Sequence, residues 1–299
     1  MSQERQPSSL KGLIKRKKIS LTKTVGKCHL TLFQSIDSLC NAPIVIGFPN
    51  LGVTPILVAN YLAEQLSLPV IGAITSPLLE ASTVLVDSQP IPPIHILGDA
   101  RVVVVTSEMK IPEAIEKSLV EAIIGLSKII GHSTIFCIEG IPHENVESSQ
   151  RAVVSFASTS ETMVSKLHSL NHKPLSEAVI TGPTGQMILR STMEDASINP
   201  DLSSGLHDLS IQDSSSDRDD GDAAEDLPNV TALLVNASSL YPDVSSALVV
   251  LHLLDSLLEG SLNIDLHIID EKAAIFERKV RSIMGEASSR DQRVQTMFS

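Results

Sequence analysis

The chain has 299 residues, 42% of them hydrophobic, and a net charge of −12, which is long enough to close one large core or two ordinary ones. No apolar run approaches the ~20 residues that cross a bilayer and residues 1–10 hold no secretory apolar stretch, so a soluble, cytoplasmic protein is expected. Residues 1–27 carry a net +7 and residues 194–226 a net −10; the body is therefore mildly acidic, which argues against a general nucleic-acid surface.

Taken in chain order, residues 1–24 form a basic arm, "KGLIKRKK" at its centre, expected to be flexible. Apolar and β-branched runs then recur with helix-like segments between them, the alternation of an α/β sheet. Strands are expected at 29–33, 43–48, 69–74, 83–86, 93–97, 101–106, 133–140, 152–157, 177–182 and 230–237. Residues 101–106, RVVVVT, are apolar without alternation and so should be buried on both faces. A helix should start at Thr54, acting as cap, with Pro55 in its first turn and Ile56, Val58, Leu62 and Leu66 facing inward. Another, opened by Pro112, repeats Ile115, Leu119, Ile123, Leu126 and Ile130 at three- and four-residue steps. Near the end, YPDVSSALVVLHLLDSLLEG has Pro242 and Asp243 at its start and Gly260 as its stop, and DEKAAIFERKVRSIMGE is amphipathic. Residues 197–228 are dominated by Ser, Asp and Gly and read as a disordered acidic loop inserted in the domain.

Complete catalytic or metal motifs are missing. Cys28, Cys40 and Cys137 lie far apart with no zinc spacing, and His168 and His172 are half a metal site at most. The turn Gly47-Phe48-Pro49-Asn50-Leu51-Gly52 runs from a strand into a helix, as a phosphate loop does, but Val53 and Thr54 stand where Lys and Ser or Thr would be needed. The turn ITGPTGQMIL repeats the theme with Gly182 and Gly185, where the amides of Thr184 to Gln186 face the turn and Arg190 is the nearest cation in sequence. Gly47, Gly52, Gly182 and Gly185 are thus structural turns or anion-site candidates. Glu139 and Gly140 close an expected strand and His143 and Glu144 follow it, at the strand's C-terminal end where α/β enzymes keep acid–base groups. No Trp and only two Tyr occur, so no stacking platform for single-stranded nucleic acid is present. The last residues, Met297, Phe298 and Ser299, join two large apolar side chains to an α-carboxylate, the parts of a peptide anchor.

The order and spacing of PIVIGFPNLGVTPILVANYLAEQL, PVIGAITSPLL, RVVVVTSEMKIP, GHSTIFCIEGI, AVITGPTGQMIL and YPDVSSALVVLHLLDSLLEGSLNID resemble the proteasome assembly chaperone family, in its chaperone-2-like archaeal branch. The resemblance covers about residues 25–285, one domain, with residues 286–299 as a flexible tail. It implies a three-layer α/β/α sandwich of the phosphorylase/hydrolase-like type, no catalysis and no cofactor. It also implies proteasome α-subunits as partners, and a homo-oligomer or a pair with a related chaperone; no nucleic acid or membrane is expected. Some members end in a hydrophobic–Tyr–any residue motif that inserts between α-subunits. Met297 matches its first position and Ser299 its last, while Phe298 replaces Tyr and forgoes one hydrogen bond, worth roughly 0.5–1.5 kcal/mol net. The readings left open by the residues are a phosphorylase- or hydrolase-like enzyme using the glycine turns, and an oligomeric scaffold with another partner.

Overall fold

Valine, isoleucine and alanine dominate the segments that become the middle of the sheet, where β-branched side chains pack well on a pleated surface. The computed structural model describes residues 19–33, 39–79, 83–86, 89–142, 152–193, 227–237, 243–260 and 262. Along the chain come β1 (Leu21–Val25), β2 (Cys28–Leu32), β3 (Ile44–Gly47), α1 (Thr54–Gln65) and β4 (Val70–Thr75). A hairpin of β5 (Val84–Val86) and β6 (Gln89–Ile91) leads to β7 (Ile94–Gly98), β8 (Val103–Ser107), α2 (Glu113–Ile129) and β9 (Ile135–Pro142). The rest is β10 (Val154–Ser158), α3 (Glu161–Ser169), β11 (Lys173–Pro174), α4 (Gly182–Thr192), β12 (Val230–Ala237) and α5 (Val244–Leu257).

All but β5 and β6 join one ten-stranded sheet in the order β1-β2-β4-β7-β8-β3-β9-β12-β10-β11. Its centre, β8-β3-β9-β12, is parallel, and the strands from β7 outward to β1 are antiparallel. Successive residues of the parallel strands enter different cores. Ile44, Ile46, Val103, Val105, Ile135 and Cys137 join a cluster with α2 and α4; Val45, Val104, Phe136 and Ile138 join one with α1, α3 and α5. Because neighbouring side chains of a strand point to opposite faces, each face of the sheet is covered by helices. The unalternating run at 101–106 has this cause: Val102 to Thr106 are all buried.

The expected face of α2 is buried throughout, from Ile115 to Ile130, and so is that of α1, from Ile56 to Leu66. Asp243 caps α5, its carboxylate accepting from the Ser246 amide at 3.0 Å, and Gly260 beyond it has φ +70°. Three local expectations are corrected. Residues 21–24, expected to belong to the flexible arm, form β1 with Val25, because Gly26 at φ 54° turns the chain back so that they pair with β2. Thr54 is the first helical residue rather than the cap, because a 3₁₀ turn at Leu51–Val53 runs straight into α1, with Val53 at φ 55°. Residues 177–182 form no strand: Val179 is 90% exposed, the β10 edge is already taken by Lys173–Pro174, and the stretch serves as the approach to α4. Edge pairing, not local apolarity, decided that segment. The N-terminal eighteen residues, the acidic insert expected at 197–228 except for its last two residues, the expected helix at 270–286 and the tail at 286–299 lie outside the described residues.

Gly47 shows how tightly α1 sits on β3, since a Cβ there would lie 2.4 Å from the Pro55 carbonyl oxygen and 2.8 Å from the Ala59 Cβ. Gly47→Ala is expected to push α1 off the sheet and cost about 1–3 kcal/mol, as overpacking does. The urea midpoint should fall with an unchanged m-value.

Candidate functional site

Three turns far apart in sequence meet at the carboxyl end of the parallel strands. The chain leaves β3 for α1, on one face, and leaves the adjacent β8 for α2, on the other. Such a divergence opens a crevice outside the strand ends, and here it is a cleft of about 910 Å³. Its walls are Phe48 to Asn50 after β3, the first turns of α2 from Lys110 to Ser118, Glu139 on β9, Thr181 to Gln186 at the start of α4, and the Gly26-Lys27 corner between β1 and β2.

Glu139 ties these walls together. Its Oε1 accepts a hydrogen bond from the Thr184 hydroxyl and its Oε2 one from the Asn50 side-chain amide. Asn50 Oδ1 in turn accepts from the Gly140 amide at 3.0 Å. Burial pushes the Glu139 carboxyl up from 4.5 to about 7, although the Thr184 hydroxyl pulls the other way. Across the α4 turn, Glu116 lies beside Gly182, its Oε1 3.8 Å from where a Cβ on Gly182 would stand. Burial and then the neighbouring Glu113 raise Glu116 as well, while Lys110 lowers it. Lys27, Lys110 and Lys117 stand exposed around the opening.

The glycines divide by role. Gly47 is filled by α1, and a Cβ on Gly185 would come within 2.2 Å of the Ile180 carbonyl oxygen, so both allow close backbone approach. Gly182, at φ +69°, supplies a left-handed turn facing the cleft. Gly52 lies in the 3₁₀ turn ahead of α1. Arg190 is turned away from the cleft: its Nε donates to Glu121 Oε1 at 2.8 Å, in a buried pair joining α4 to α2. His143 and Glu144 lie outside the described residues, as do Met297, Phe298 and Ser299.

The other chemical candidates sit elsewhere. Burial pushes the Cys28 thiol up to about 11 and raises Cys137 too, so neither supplies a thiolate nucleophile near neutral pH. His168 packs edge-on against Phe156, and His172 Nδ1 lies 3.1 Å from the Val154 carbonyl oxygen. Among the described residues no group of three or more His, Cys, Asp or Glu is placed to hold a metal ion, and no helix is long and apolar enough to cross a membrane.

The PAC2 family profile matches residues 44–198, just over half of the 299-residue chain and the stretch that builds most of the cleft. The chain belongs to the PAC2 family. Among solved structures, it is similar to Pyrococcus furiosus PbaA, described as an archaeal homolog of proteasome-assembly chaperone. The identity is 17% and the TM-score 0.65, over 90% of this chain and 97% of that one. P. furiosus PbaB, described as an archaeal proteasome activator, matches at 16% identity and TM-score 0.61, over 86% and 99%. A PAC2 family protein from Streptomyces avermitilis matches at 12% and 0.52, over 80% and 95%. At such identities the likeness establishes the fold. No curated protein matches the sequence.

Of this PAC2 cleft, the sequence singled out the two glycine turns and Glu139 but not their meeting. It named Asn50 and Thr184 only as parts of those turns, not for their side chains, and it missed Glu116, which looks like an ordinary helix-surface residue; Glu139, expected near a strand's end, lies inside β9.

Glu139 should also be visible in stability. A carboxyl whose pKa is raised on folding favours the native state fully below about pH 4.5, and that contribution is lost as pH rises through about 7; the loss is of order 3 kcal/mol. Denaturant titrations of wild type and Glu139→Gln should therefore show the variant gaining on the wild type between pH 5 and 8. Parallel pH profiles would contradict the environment described for Glu139.

Proposed function

We propose that this protein is an ATP-independent chaperone that binds core-proteasome α-subunits and assists their assembly into rings. The observation that carries this reading is membership of the PAC2 family, joined to a fold match over 90% of the chain with a homolog of proteasome-assembly chaperone. The helix-covered sheet is taken as the three-layer α/β/α sandwich of the phosphorylase-like type, used as a rigid platform rather than for catalysis. In this reading the protein is not an enzyme, needs no cofactor, and works in the cytoplasm as a homo-oligomer or with a related chaperone.

The anchor is the tail. Met297 and Phe298 supply apolar groups for pockets between neighbouring α-subunits, and the Ser299 carboxylate meets a cation or a nest of backbone amides. The contacts that close Gly47 and Gly185 to a side chain support their assignment as scaffold turns.

Pull-down of α-subunits by the full chain, with and without Met297 to Ser299, tests the reading. Capture is expected at low and moderate salt, weakened by the deletion and strengthened by Phe298→Tyr, which restores a hydroxyl worth about 0.5–1.5 kcal/mol. No capture by the intact chain would overturn it. A melting temperature raised by inorganic phosphate or a nucleoside would favour the enzyme reading instead.

A further inference from the structure

The cleft between β3, β9, α2 and α4 has features that a scaffold corner does not require. At about 910 Å³ it lies in the ordinary size range of small-ligand sites, at the point where adjacent parallel strands send their helices to opposite faces. Two of its carboxyls, Glu139 and Glu116, are half-buried within it, whereas Lys27, Lys110 and Lys117 are exposed at its mouth and outnumber the one exposed carboxyl there, Glu113.

Among the described residues Glu139 has neutral partners only, the Asn50 amide and the Thr184 hydroxyl, and no described cation contributes to its protonation balance. Each carboxylate oxygen keeps a second lone-pair position for another donor. A desolvated carboxylate is normally compensated by a cation. An entering ammonium group would provide that compensation and strengthen the hydrogen bonds already made.

Other ligand charges fit less well. A bare anion drawn in by the lysines and the α4 N-terminus would come to rest against Glu139 and Glu116. A bare cation would have to pass three lysines, and the described residues offer no metal-binding cluster. A molecule with an ammonium group leading and a carboxylate trailing matches both ends.

We propose that the cleft binds a small zwitterionic amine, of the amino acid or short-peptide class. Its ammonium group lies at Glu139, and its carboxylate remains at the mouth among Lys27, Lys110 and Lys117. Asn50 and Thr184 hold the Glu139 carboxylate in position for the ammonium. Occupancy of the cleft by a small ligand and capture of α-subunits are independent measurements, so either proposal can fail without the other.

The test is calorimetric titration of the full chain with triglycine, N-acetyl-triglycine, free arginine and inorganic phosphate. Triglycine or arginine is expected to bind in the micromolar-to-millimolar range. The acetylated peptide, which has lost its ammonium, and Glu139→Gln titrated with the better ligand should each bind roughly tenfold or more weakly. Ala114→Trp, placed on an exposed cleft-lining turn of α2, should block the cleft without touching the core. It keeps the test valid if Glu139→Gln fails to fold. Three results would each overturn the proposal: no binding of any zwitterion at millimolar concentration, binding of phosphate alone, or binding indifferent to acetylation and to Ala114→Trp.

Discussion

The architecture depends on four parallel strands that have no face left for water. In β8, β3, β9 and β12, alternate side chains enter two separate apolar clusters, and each full burial is worth about 1.5–3 kcal/mol. A sheet of this kind is stable only if helices cover it on both faces. The chain meets the demand by sending α1 to one face and α2 to the other from neighbouring strands. The cleft is the geometric residue of that choice, since two connections diverging from the ends of adjacent strands cannot also fill the space between them.

Close packing sets the detail. β3 ends in a glycine because α1 crosses it so closely that the Pro55 carbonyl occupies the position of a Cβ. A Cβ on Gly140 would likewise lie 2.2 Å from the Leu51 carbonyl oxygen, which brings the 3₁₀ turn against β9 and carries Asn50 to Glu139. Glycine spacing that resembles a phosphate loop in sequence is thus a record of backbone approaching backbone. The buried Arg190–Glu121 pair has a comparable place on the other side, holding α4 against α2. One partner removed alone would leave the other charge buried and uncompensated.

The polar centre of the cleft is set against this apolar frame. Glu139 sits where burial disfavours its charge, and two neutral donors partly offset that penalty. Groups held in such a balance respond strongly to a nearby charge.

Much of this was legible without coordinates. The parallel core strands, the buried stripes of α1 and α2 and the Asp243-started helix follow from side-chain periodicity and end signals, which act over a few residues. The strand expected at 177–182 shows the limit: Ala178-Val179-Ile180 is apolar enough, but a strand needs a free edge, and Lys173–Pro174 held it. The sequence by itself determined which residues are core and which glycines mark turns. Only the tertiary structure decided that Asn50, Glu139 and Thr184 form one hydrogen-bonded group, that Arg190 is buried against Glu121, and that Glu139 and Glu116 share a cleft with three exposed lysines. Those relations depend on strand order and on helices crossing the sheet, and no local pattern of residues encodes the distance between two turns 90 positions apart.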